Sequence, residues 1–289
     1  MNTMTNSITA YRKHRKFFAT DALTQFINAS ENLVVLTGAG CSAHSGIPTY
    51  RDSRGHWQRS DPIYHQEFIS KPSSRQRYWA RSVIGWPNVA NAVPNAAHYA
   101  LAAIENVGKI GLLVTQNIDS LHQRAGHKNV VDLHGRLDRV VCLGCGAASS
   151  RHALQERLLI ANPQLPKSGD FAPDGDADIQ IDVTTIDVPS CTECEGILKP
   201  DVVFFGDNVK PKIVQSIYQS LSNSDGLLVV GSSLKVYSGF RFCKKAAELG
   251  KPIVCVNPGV TRGDSLYKLK VKADCVKVFS NLIEPLELK

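Results

Sequence analysis

The 289-residue sequence lacks the features of membrane, secreted and fibrous proteins. No apolar run approaches the roughly 20 residues of a transmembrane helix, so we expect no membrane insertion. The N-terminus lacks the apolar stretch of about 7–15 residues that a secretory signal needs. Apolar residues make up 43% and charged residues 20%, which excludes a largely disordered chain. We therefore expect one large domain, or one large and one small domain.

The N-terminal extension, residues 1–19, contains no acidic residue and carries the basic residues Arg12, Lys13, Arg15 and Lys16. We interpret it as a solvated, partly helical segment. An amphipathic transit peptide is the alternative, so the expected location is the cytoplasm, with the mitochondrial matrix as the second choice. The net charge of +7 favours acidic ligands such as phosphates. It is too diffuse to indicate obligatory nucleic-acid binding.

Seven short apolar runs predict the strands of a parallel sheet, because such runs are typical of strands buried on both faces. They are Leu33–Leu36, Ile110–Val114, Val130–Leu133, Val202–Phe205, Leu227–Val230, Ile253–Val256 and Cys275–Val278. Helical stretches alternate with them at Asp21–Ala29, Ala96–Val107, Pro211–Leu221 and Phe240–Leu249. This alternation predicts an α/β protein with a Rossmann-like, doubly wound sheet.

Two segments interrupt this alternation and predict a smaller domain formed by two insertions. Residues 53–95, with four prolines among polar and aromatic residues, predict a mostly helical insertion. Residues 139–200, with four of the eight cysteines, predict a zinc-ribbon insertion with a helix near Arg151–Ile160. The Rossmann-like domain is then discontinuous, comprising residues 20–52, 96–138 and 201–289.

A glycine-containing turn directly follows the first predicted strand. Gly38, Gly40 and Ala43 fit the looser dinucleotide fingerprint, in which alanine replaces the third glycine. Such glycines let the backbone approach a pyrophosphate, although a tight structural turn explains the same pattern. Pro48 predicts that the following helix is short, and Asp61 follows no predicted strand that could hold it against a ribose. The turn therefore favours dinucleotide binding without the usual geometry of hydride transfer.

Two Cys-x-x-Cys pairs predict a tetrahedral zinc site with Cys142, Cys145, Cys191 and Cys194 as ligands. A redox pair and two disulfides are the alternatives. Two equivalent pairs in a composition typical of the cytosol favour zinc, and no histidine or carboxylate stands out as a catalytic partner. The metal is therefore expected to be structural. The remaining cysteines are expected to be buried thiols: Cys41, Cys243, Cys255 and Cys275.

Polar residues follow several predicted strands, at the edge where open α/β sheets bind ligands. Thr115–Asp119 and Asp132–Gly135 form two such loops. His134, at a strand end before a glycine, is a candidate general base, although a structural histidine is the alternative. Gly231–Ser233 and Asn257–Gly259 suit ribose and phosphate contacts, or else cap loops.

Together, these motifs resemble the sirtuin family of NAD-dependent protein deacylases. The matching strings run in the family's order from about residue 20 onwards: Gly38–Ser42, Ser45–Arg51, Thr115–Asp119, His134–Gly135, the cysteine pairs, Lys199–Asp207 and Gly231–Ser233. Further stretches are similar to class II, the type of mitochondrial sirtuin 4 and its bacterial relatives: Arg75–Arg81, Gly85–Pro87 and Ala172–Asp176. Thr49 departs from the acidic or small residue of many members, and we expect little consequence.

The resemblance implies that NAD is consumed as a co-substrate. In sirtuins the acyl-lysine carbonyl oxygen attacks C1′ of the nicotinamide ribose, giving an alkylimidate, and the products are nicotinamide, O-acyl-ADP-ribose and free lysine. The implied catalytic residues are His134, the base for the ribose hydroxyls, and Asn117, which orders water and ribose. The implied cofactor-binding residues are Gly38, Ala39, Gly40, Ser42, Ile47, Pro48, Tyr50, Arg51, Gln116, Asn117, Asp119, Gly231, Ser232, Ser233, Asn257, Pro258, Gly259 and Cys275.

The implied partners are acylated-lysine proteins. The family's substrate-pairing strand corresponds to Val202, Val203, Phe204 and Gly206. Members that prefer acidic acyl groups carry a Tyr-x-x-Arg pair, and Tyr78 and Arg81 have that spacing on one helix face. We therefore expect longer or carboxylated acyl groups to be preferred over acetyl, unless Arg81 is simply a solvated helix residue.

Three other functions stay open at this stage. Protein ADP-ribosyl transfer would use the same glycosidic cleavage. An NAD-dependent dehydrogenase would produce reduced nicotinamide instead. A non-catalytic zinc-ribbon module would bind nucleic acid in a salt-sensitive manner.

Overall fold

The computed structural model describes residues 20–49, 62–166 and 182–282. Among the residues singled out above, Tyr50, Arg51 and Asp61 lie outside these ranges, as do residues 1–19 and 172–176.

The described residues form nine strands in two sheets. In chain order the strands are β1 (Leu33–Thr37), β2 (Ile110–Thr115), β3 (Val130–Asp132), β4 (Gly135–Cys142), β5 (Ala148–Ser150), β6 (Leu198–Val202), β7 (Gly226–Val230), β8 (Ile253–Val256) and β9 (Leu269–Val271). The larger sheet has the order β3-β2-β1-β7-β8-β9 and all its pairings are parallel. This order is that of a Rossmann-like sheet, which confirms the predicted fold class.

Helices cover both faces of the larger sheet. In chain order the helices are α1 (residues 20–28), α2 (His65–Ser70), α3 (Pro72–Asn91), α4 (Ala96–Asn106), α5 (Leu121–Arg124), α6 (Arg151–Ala161), α7 (Pro211–Ser222), α8 (Tyr237–Glu248) and α9 (Cys275–Ser280). Leu33 and Val35 of β1 pack with α1, α4 and α9, whereas Val34 and Leu36 pack with α7 and α8. Because successive strand residues point to opposite faces, β1 needs apolar residues throughout.

The smaller sheet is antiparallel and has the order β5-β4-β6. One apolar cluster joins it to α2, α3 and α6, with Phe68, Trp79 and Leu158 fully buried. The described parts of residues 53–95 and 139–200 thus supply the helices and most of the small sheet, with Cys142 at the end of β4. The domain limits stay a prediction. None of the helices in the described ranges has the length and apolar character that crossing a bilayer requires.

Two strand predictions are wrong. The run Cys275–Val278 lies in helix α9, whose N-cap Asp274 accepts a hydrogen bond from the Lys277 amide at 3.1 Å. A short, mostly apolar run that includes Lys277 does not distinguish a strand from a half-buried helix turn, and the last strand of the sheet is the unpredicted β9.

The other error is at Val202–Phe205, because the strand there is β6, Leu198–Val202, in the small antiparallel sheet. β6 contains Pro200 and is an edge strand, where a missing N–H is tolerated. After Val202 the chain leaves the sheet and continues along the cavity described below.

Candidate active site

A cavity of about 590 Å³ opens at the carboxyl ends of the parallel strands. It lies at the switch point between β1 and β7, where the chain order in the sheet reverses and where open α/β sheets bind ligands. The predicted cofactor residues that line it are Gly38, Ala39, Gly40, Gln116, Asn117, Gly231, Ser232, Ser233, Asn257, Pro258, Gly259 and Cys275. The structure therefore brings together loops that follow β1, β2, β7 and β8, and the start of α9.

Glycines at the ends of β1 and β7 allow these two strands' loops to touch. The Gly40 amide donates to the Gly231 carbonyl oxygen at 2.8 Å. A Cβ at Gly40 would lie 2.8 Å from that oxygen, and a Cβ at Gly38 would lie 2.8 Å from the Ser232 Cβ. Two short 3₁₀ turns, Ala39–Cys41 and Ala43–Ser45, follow Gly38, which confirms that only a short helical segment fits before Pro48. Larger side chains would separate the loops that form the floor of the cavity.

A buried polar network supports the turn from below. Ser42 Oγ donates to Asp119 Oδ2 at 2.7 Å and accepts from Asn117 Nδ2 at 3.0 Å. Asn117 Nδ2 also donates to the Gly38 carbonyl oxygen at 3.1 Å. Burial raises the pKa of the Asp119 carboxyl, while hydrogen bonds from the Leu121 amide and Ser42 lower it. Among the described residues, Asn117 lines the cavity, whereas Ser42 and Asp119 do not. Ser42 and Asp119 therefore act on the cavity by orienting Asn117.

Ile47 and Pro48, predicted to bind the cofactor, also lie outside the lining of the cavity as the described residues form it. Ile47 is buried and packs with Trp86, Leu121 and Val202. Its position places it beneath the loop that carries Asp119.

His134 lies at the edge of the cavity with a defined protonation pattern. Its Nδ1 is 2.9 Å from the Gln116 carbonyl oxygen, which only accepts, so Nδ1 carries the hydrogen. Nε2 is then the unprotonated nitrogen and lies 2.7 Å from the Ser238 hydroxyl oxygen. Burial lowers the pKa of His134, so the neutral ring is favoured near pH 7. The arrangement is that of a base whose unprotonated nitrogen accepts from a hydroxyl, with both residues lining the cavity.

The main chain at His134 links the cofactor loops to the predicted substrate strand. Gly135 has a φ of +80°, and a Cβ at this position would overlap the Asp201 carbonyl oxygen. Only glycine therefore fits at this position. The His134 carbonyl oxygen accepts from the Val203 amide at 2.8 Å. Val202, Val203, Phe204 and Gly206 consequently line the same cavity as the ring.

One arm of the cavity has apolar and aromatic walls. Tyr78 and Phe204 lie with ring centroids 5.3 Å apart, and both line the cavity together with Ile63. Phe68 supports both rings from behind, at 5.5 Å and 5.1 Å. Arg81 is not among the described residues that line the cavity, although it was predicted beside Tyr78. The arm therefore has an apolar, aromatic lining.

The four predicted zinc ligands form a cluster at the end of β4, with their sulfur atoms all within 4.8 Å of one another. Cys142 and Cys194 Sγ are 3.5 Å apart, and Cys145 and Cys191 Sγ are 3.8 Å apart. Four sulfurs at Zn–S distances of about 2.3 Å would be separated by roughly 3.8 Å in a tetrahedron. The donor set and spacing therefore fit one structural zinc ion.

Backbone amides prepare the sulfurs for a metal. The Cys145 and Gly144 amides donate to Cys142 Sγ, at 3.5 and 3.3 Å, and lower the pKa of that thiol to about 6. A Cβ at Gly196 would lie 2.8 Å from Cys142 Sγ, so glycine is needed for the close approach of the two turns. These are features of a closed, structural site.

Sequence reasoning missed two residues that act on the site. Ser238, on the second residue of α8, is the hydroxyl partner of His134. Asn95, the N-cap of α4, donates to the Cys41 carbonyl oxygen at 2.8 Å and to Ser45 Oγ at 3.0 Å. An asparagine before a helix predicts a cap but not a distant loop contact. A serine at a helix start beyond the Gly231–Ser233 loop was the available signal for Ser238.

Comparisons with known proteins agree with this geometry. Residues 38–238 match the sequence model of the Sir2 family. NAD-dependent protein deacetylase 2 of Bradyrhizobium diazoefficiens is 51% identical over 267 residues, covering 92% of this chain and 98% of the relative. The NAD-dependent protein lipoamidase sirtuin-4 of Bos taurus is 47% identical over 91% of this chain and 85% of its own length.

Solved structures give the same result. A Sir2 variant with a deacetylated p53 peptide and 3′-O-acetyl-ADP-ribose has a TM-score of 0.76 at 30% identity, covering 93% of this chain and 98% of that one. A complex of a Sir2 homologue with NAD has a TM-score of 0.72 at 28% identity, covering 93% and 95%. With more than half of its length matched by the family model and relatives at about 50% identity, the chain belongs to the Sir2 family, the sirtuins.

Proposed function

We propose that this protein is an NAD-dependent deacylase of protein lysine residues that forms nicotinamide, O-acyl-ADP-ribose and free lysine. The observation that supports it most is the position of the neutral His134 ring, between the glycine loops on one side and the apolar arm on the other. A base at this junction can reach a ribose whose dinucleotide lies on the loops and whose acyl partner enters through the arm.

Residues at different positions around the cavity have different roles in the proposed reaction. Bound NAD supplies the glycosidic C–N bond that is broken and the ribose hydroxyls that receive the acyl group. The loops at Gly38–Gly40 and Gly231–Ser233 line the cavity with small residues and with the Ser232 and Ser233 side chains, which suit contacts to phosphates and ribose. Asn117 is oriented by Ser42 and Gly38, and its position suits it to order water beside the ribose. His134 takes a proton from a ribose hydroxyl at Nε2 and keeps its Nδ1 hydrogen on Gln116.

Substrate backbone and acyl chain have separate surfaces. Val203 already uses its amide on His134, while Phe204 and Gly206 continue along the cavity edge and can pair with an extended peptide. The Tyr78–Phe204 arm favours acyl groups longer than acetyl, because each buried methylene adds about 0.8 kcal/mol of transfer free energy. Recognition of a carboxylated acyl end would need Arg81 to act with Tyr78, and we keep it as the narrower part of the proposal.

One experiment tests the activity and the acyl preference. Wild-type protein is incubated with NAD and matched acetyl-, glutaryl- and lipoyl-lysine peptides, and nicotinamide, free lysine and O-acyl-ADP-ribose are quantified by mass spectrometry. We expect all three products, with lipoyl- or glutaryl-lysine giving a higher kcat/KM than acetyl-lysine. His134→Ala should lower deacylation by roughly 100-fold or more, the contribution of a positioned general base.

The controls separate the competing functions. Reduced-nicotinamide absorbance would indicate a dehydrogenase, and ADP-ribose attached to a protein acceptor would indicate a transferase. Arg81→Ala should lower the efficiency on glutaryl-lysine but leave lipoyl-lysine unchanged, because only the former ends in a carboxylate. Preference for acetyl-lysine that persists in Arg81→Ala would end the acyl-preference proposal while leaving the deacylase proposal intact.

A further inference from the structure

The unprotonated nitrogen of His134 faces a serine hydroxyl. Ser238 Oγ lies 2.7 Å from Nε2, and both residues line the cavity. Because Nδ1 donates to the Gln116 carbonyl, the Ser238 hydroxyl must be the donor when the ring is neutral. When the ring holds a second proton, the same hydroxyl can rotate and accept from Nε2–H. One contact therefore serves both protonation states of the base.

The fold fixes this serine rigidly. Ser238 is in the first turn of α8, a twelve-residue helix that packs on the larger sheet through Phe242, Cys243 and Ala246. The next residue, Gly239, lies so close to the Gln116 side chain that any Cβ would overlap it. Gln116 in turn supplies the carbonyl that orients His134. The helix start, Gln116 and the imidazole thus form one packed unit, in which both ring nitrogens have a defined partner.

We propose that Ser238 is a positioning residue for the base: its hydroxyl donates to Nε2 and holds the neutral ring, turns its hydrogen away when the ribose hydroxyl approaches that nitrogen, and accepts from Nε2–H once the ring has taken the proton. This inference rests on the proposed deacylase function and assigns a role to a residue outside the motifs that identified the family. Ser238 is not required to contact the ribose itself; it acts through His134.

Ser238 should act only at the stage of the reaction in which His134 takes up a proton. In the first stage the acyl carbonyl oxygen bonds to C1′ of the ribose, and nicotinamide leaves with the electron pair of the C–N bond; no proton moves to His134. In the later stage a ribose hydroxyl gives its proton to Nε2, and its oxygen bonds to the acyl carbon. The lysine nitrogen takes up a proton and leaves with the electron pair of its bond to the acyl carbon. Water then adds to that carbon and loses a proton, and the bond from the carbon to the oxygen on C1′ breaks, giving O-acyl-ADP-ribose. Ser238 should therefore affect the later stage and spare the first.

Two assays on the full-length protein separate the stages. Exchange of labelled nicotinamide into NAD, in the presence of acyl-lysine peptide, reports the first stage. Release of free lysine reports the whole reaction. We expect Ser238→Ala to lower the kcat of lysine release about 10-fold, the effect of losing one hydrogen bond of roughly 1.4 kcal/mol. Nicotinamide exchange and the KM for NAD should stay within twofold of wild type.

Matched variants guard against a merely structural effect. Ser238→Thr keeps the hydroxyl and should recover most of the lost turnover. Ser220→Ala removes a hydroxyl that donates a hydrogen bond to the Ser216 carbonyl oxygen on the solvent side of α7. This variant should change neither assay. Alanine is the best helix former, so α8 should keep its thermal stability in Ser238→Ala.

The failures are distinguishable. Equal loss of exchange and lysine release in Ser238→Ala, or a threonine variant no better than alanine, would show a structural role and overturn the inference. Unchanged lysine release in Ser238→Ala would also overturn it. Absence of both exchange and lysine release in the wild type would instead overturn the proposed function.

Discussion

At the scale of single residues, the candidate base owes its properties to its surroundings. His134 follows the short strand β3, and its partly buried ring lies between Gln116 and Ser238. Removal from water disfavours the charged imidazolium, which lowers the pKa of the ring. The hydrogen bond to the Gln116 carbonyl opposes this effect, because a donor gains from positive charge. Burial is the larger of the two influences.

The pH dependence of deacylation should show this balance. A general base works only in its neutral form, so the rate falls as the pH drops through the pKa of His134. Since burial moves that pKa below the ordinary value of about 6.5, we expect the acid limb of kcat/KM to have its midpoint below pH 6.5. The check is a pH–rate profile between pH 5 and 8, with circular dichroism confirming the fold at each pH. An acid midpoint above pH 7 would contradict this reading of the site.

At the scale of elements, the sequence signals differ in strength. Cys142 and Cys191 were predicted as zinc ligands because each begins a Cys-x-x-Cys pair, a pattern that is visible directly in the sequence. The antiparallel strands that hold them were not predicted, since β5 is three residues long and β6 contains Pro200. Likewise, the run at Cys275 is apolar in either a strand or a helix, and only the Asp274 cap decides between them. Tertiary pairing, which periodicity does not record, determined β5 and β6, whereas a local helix cap determined α9.

The zinc cluster should be needed for the stability of the small sheet. Cys191→Ser removes one thiolate from a closed four-sulfur site, and we expect zinc content to fall from about one ion per chain to near zero. If the free energy of unfolding falls by about 3 kcal/mol, Tm should fall by roughly 6–12 °C. Atomic absorption and differential scanning calorimetry measure the two effects. Cys243→Ser, at a buried thiol on α8 outside the cluster, is the control and should keep its zinc.

At the scale of the whole molecule, the larger sheet connects the cavity to a buried row of histidines. His98 and His122 have ring centroids 4.8 Å apart, and His122 and His127 are 5.2 Å apart. His98 Nδ1 accepts from the Asn95 amide at 3.2 Å, so its other nitrogen carries the hydrogen and faces Ser42 Oγ at 3.4 Å. The strands and the ligand edge of the sheet were predictable from apolar runs. This row was not, because His98 is distant in sequence from His122 and His127 and meets them only where α4 packs against α5 and the segment that follows it.

The buried row should make the fold sensitive to acid. Burial lowers the pKa of all three rings, that of His98 to about 4. Between that value and the unfolded pKa of about 6.5, the unfolded chain binds a proton that the folded chain excludes. The free energy of unfolding therefore falls as the pH falls, by up to about 1.4 kcal/mol per pH unit for each such histidine and about 3 kcal/mol in total for His98.

Urea unfolding at pH 7, 6 and 5 tests this on the intact chain. His98→Asn keeps an acceptor for the Asn95 amide but cannot titrate, so its free energy of unfolding should fall less steeply below pH 6.5 than that of the wild type. His152→Asn, on the exposed side of α6, should follow the wild-type slope. Parallel curves for His98→Asn and the wild type would mean that His98 becomes charged without unfolding. The packing around His98 behind the cofactor turn would then admit water and a proton. Such access to water would also contradict the burial that raises the pKa of Asp119 in the Ser42 network.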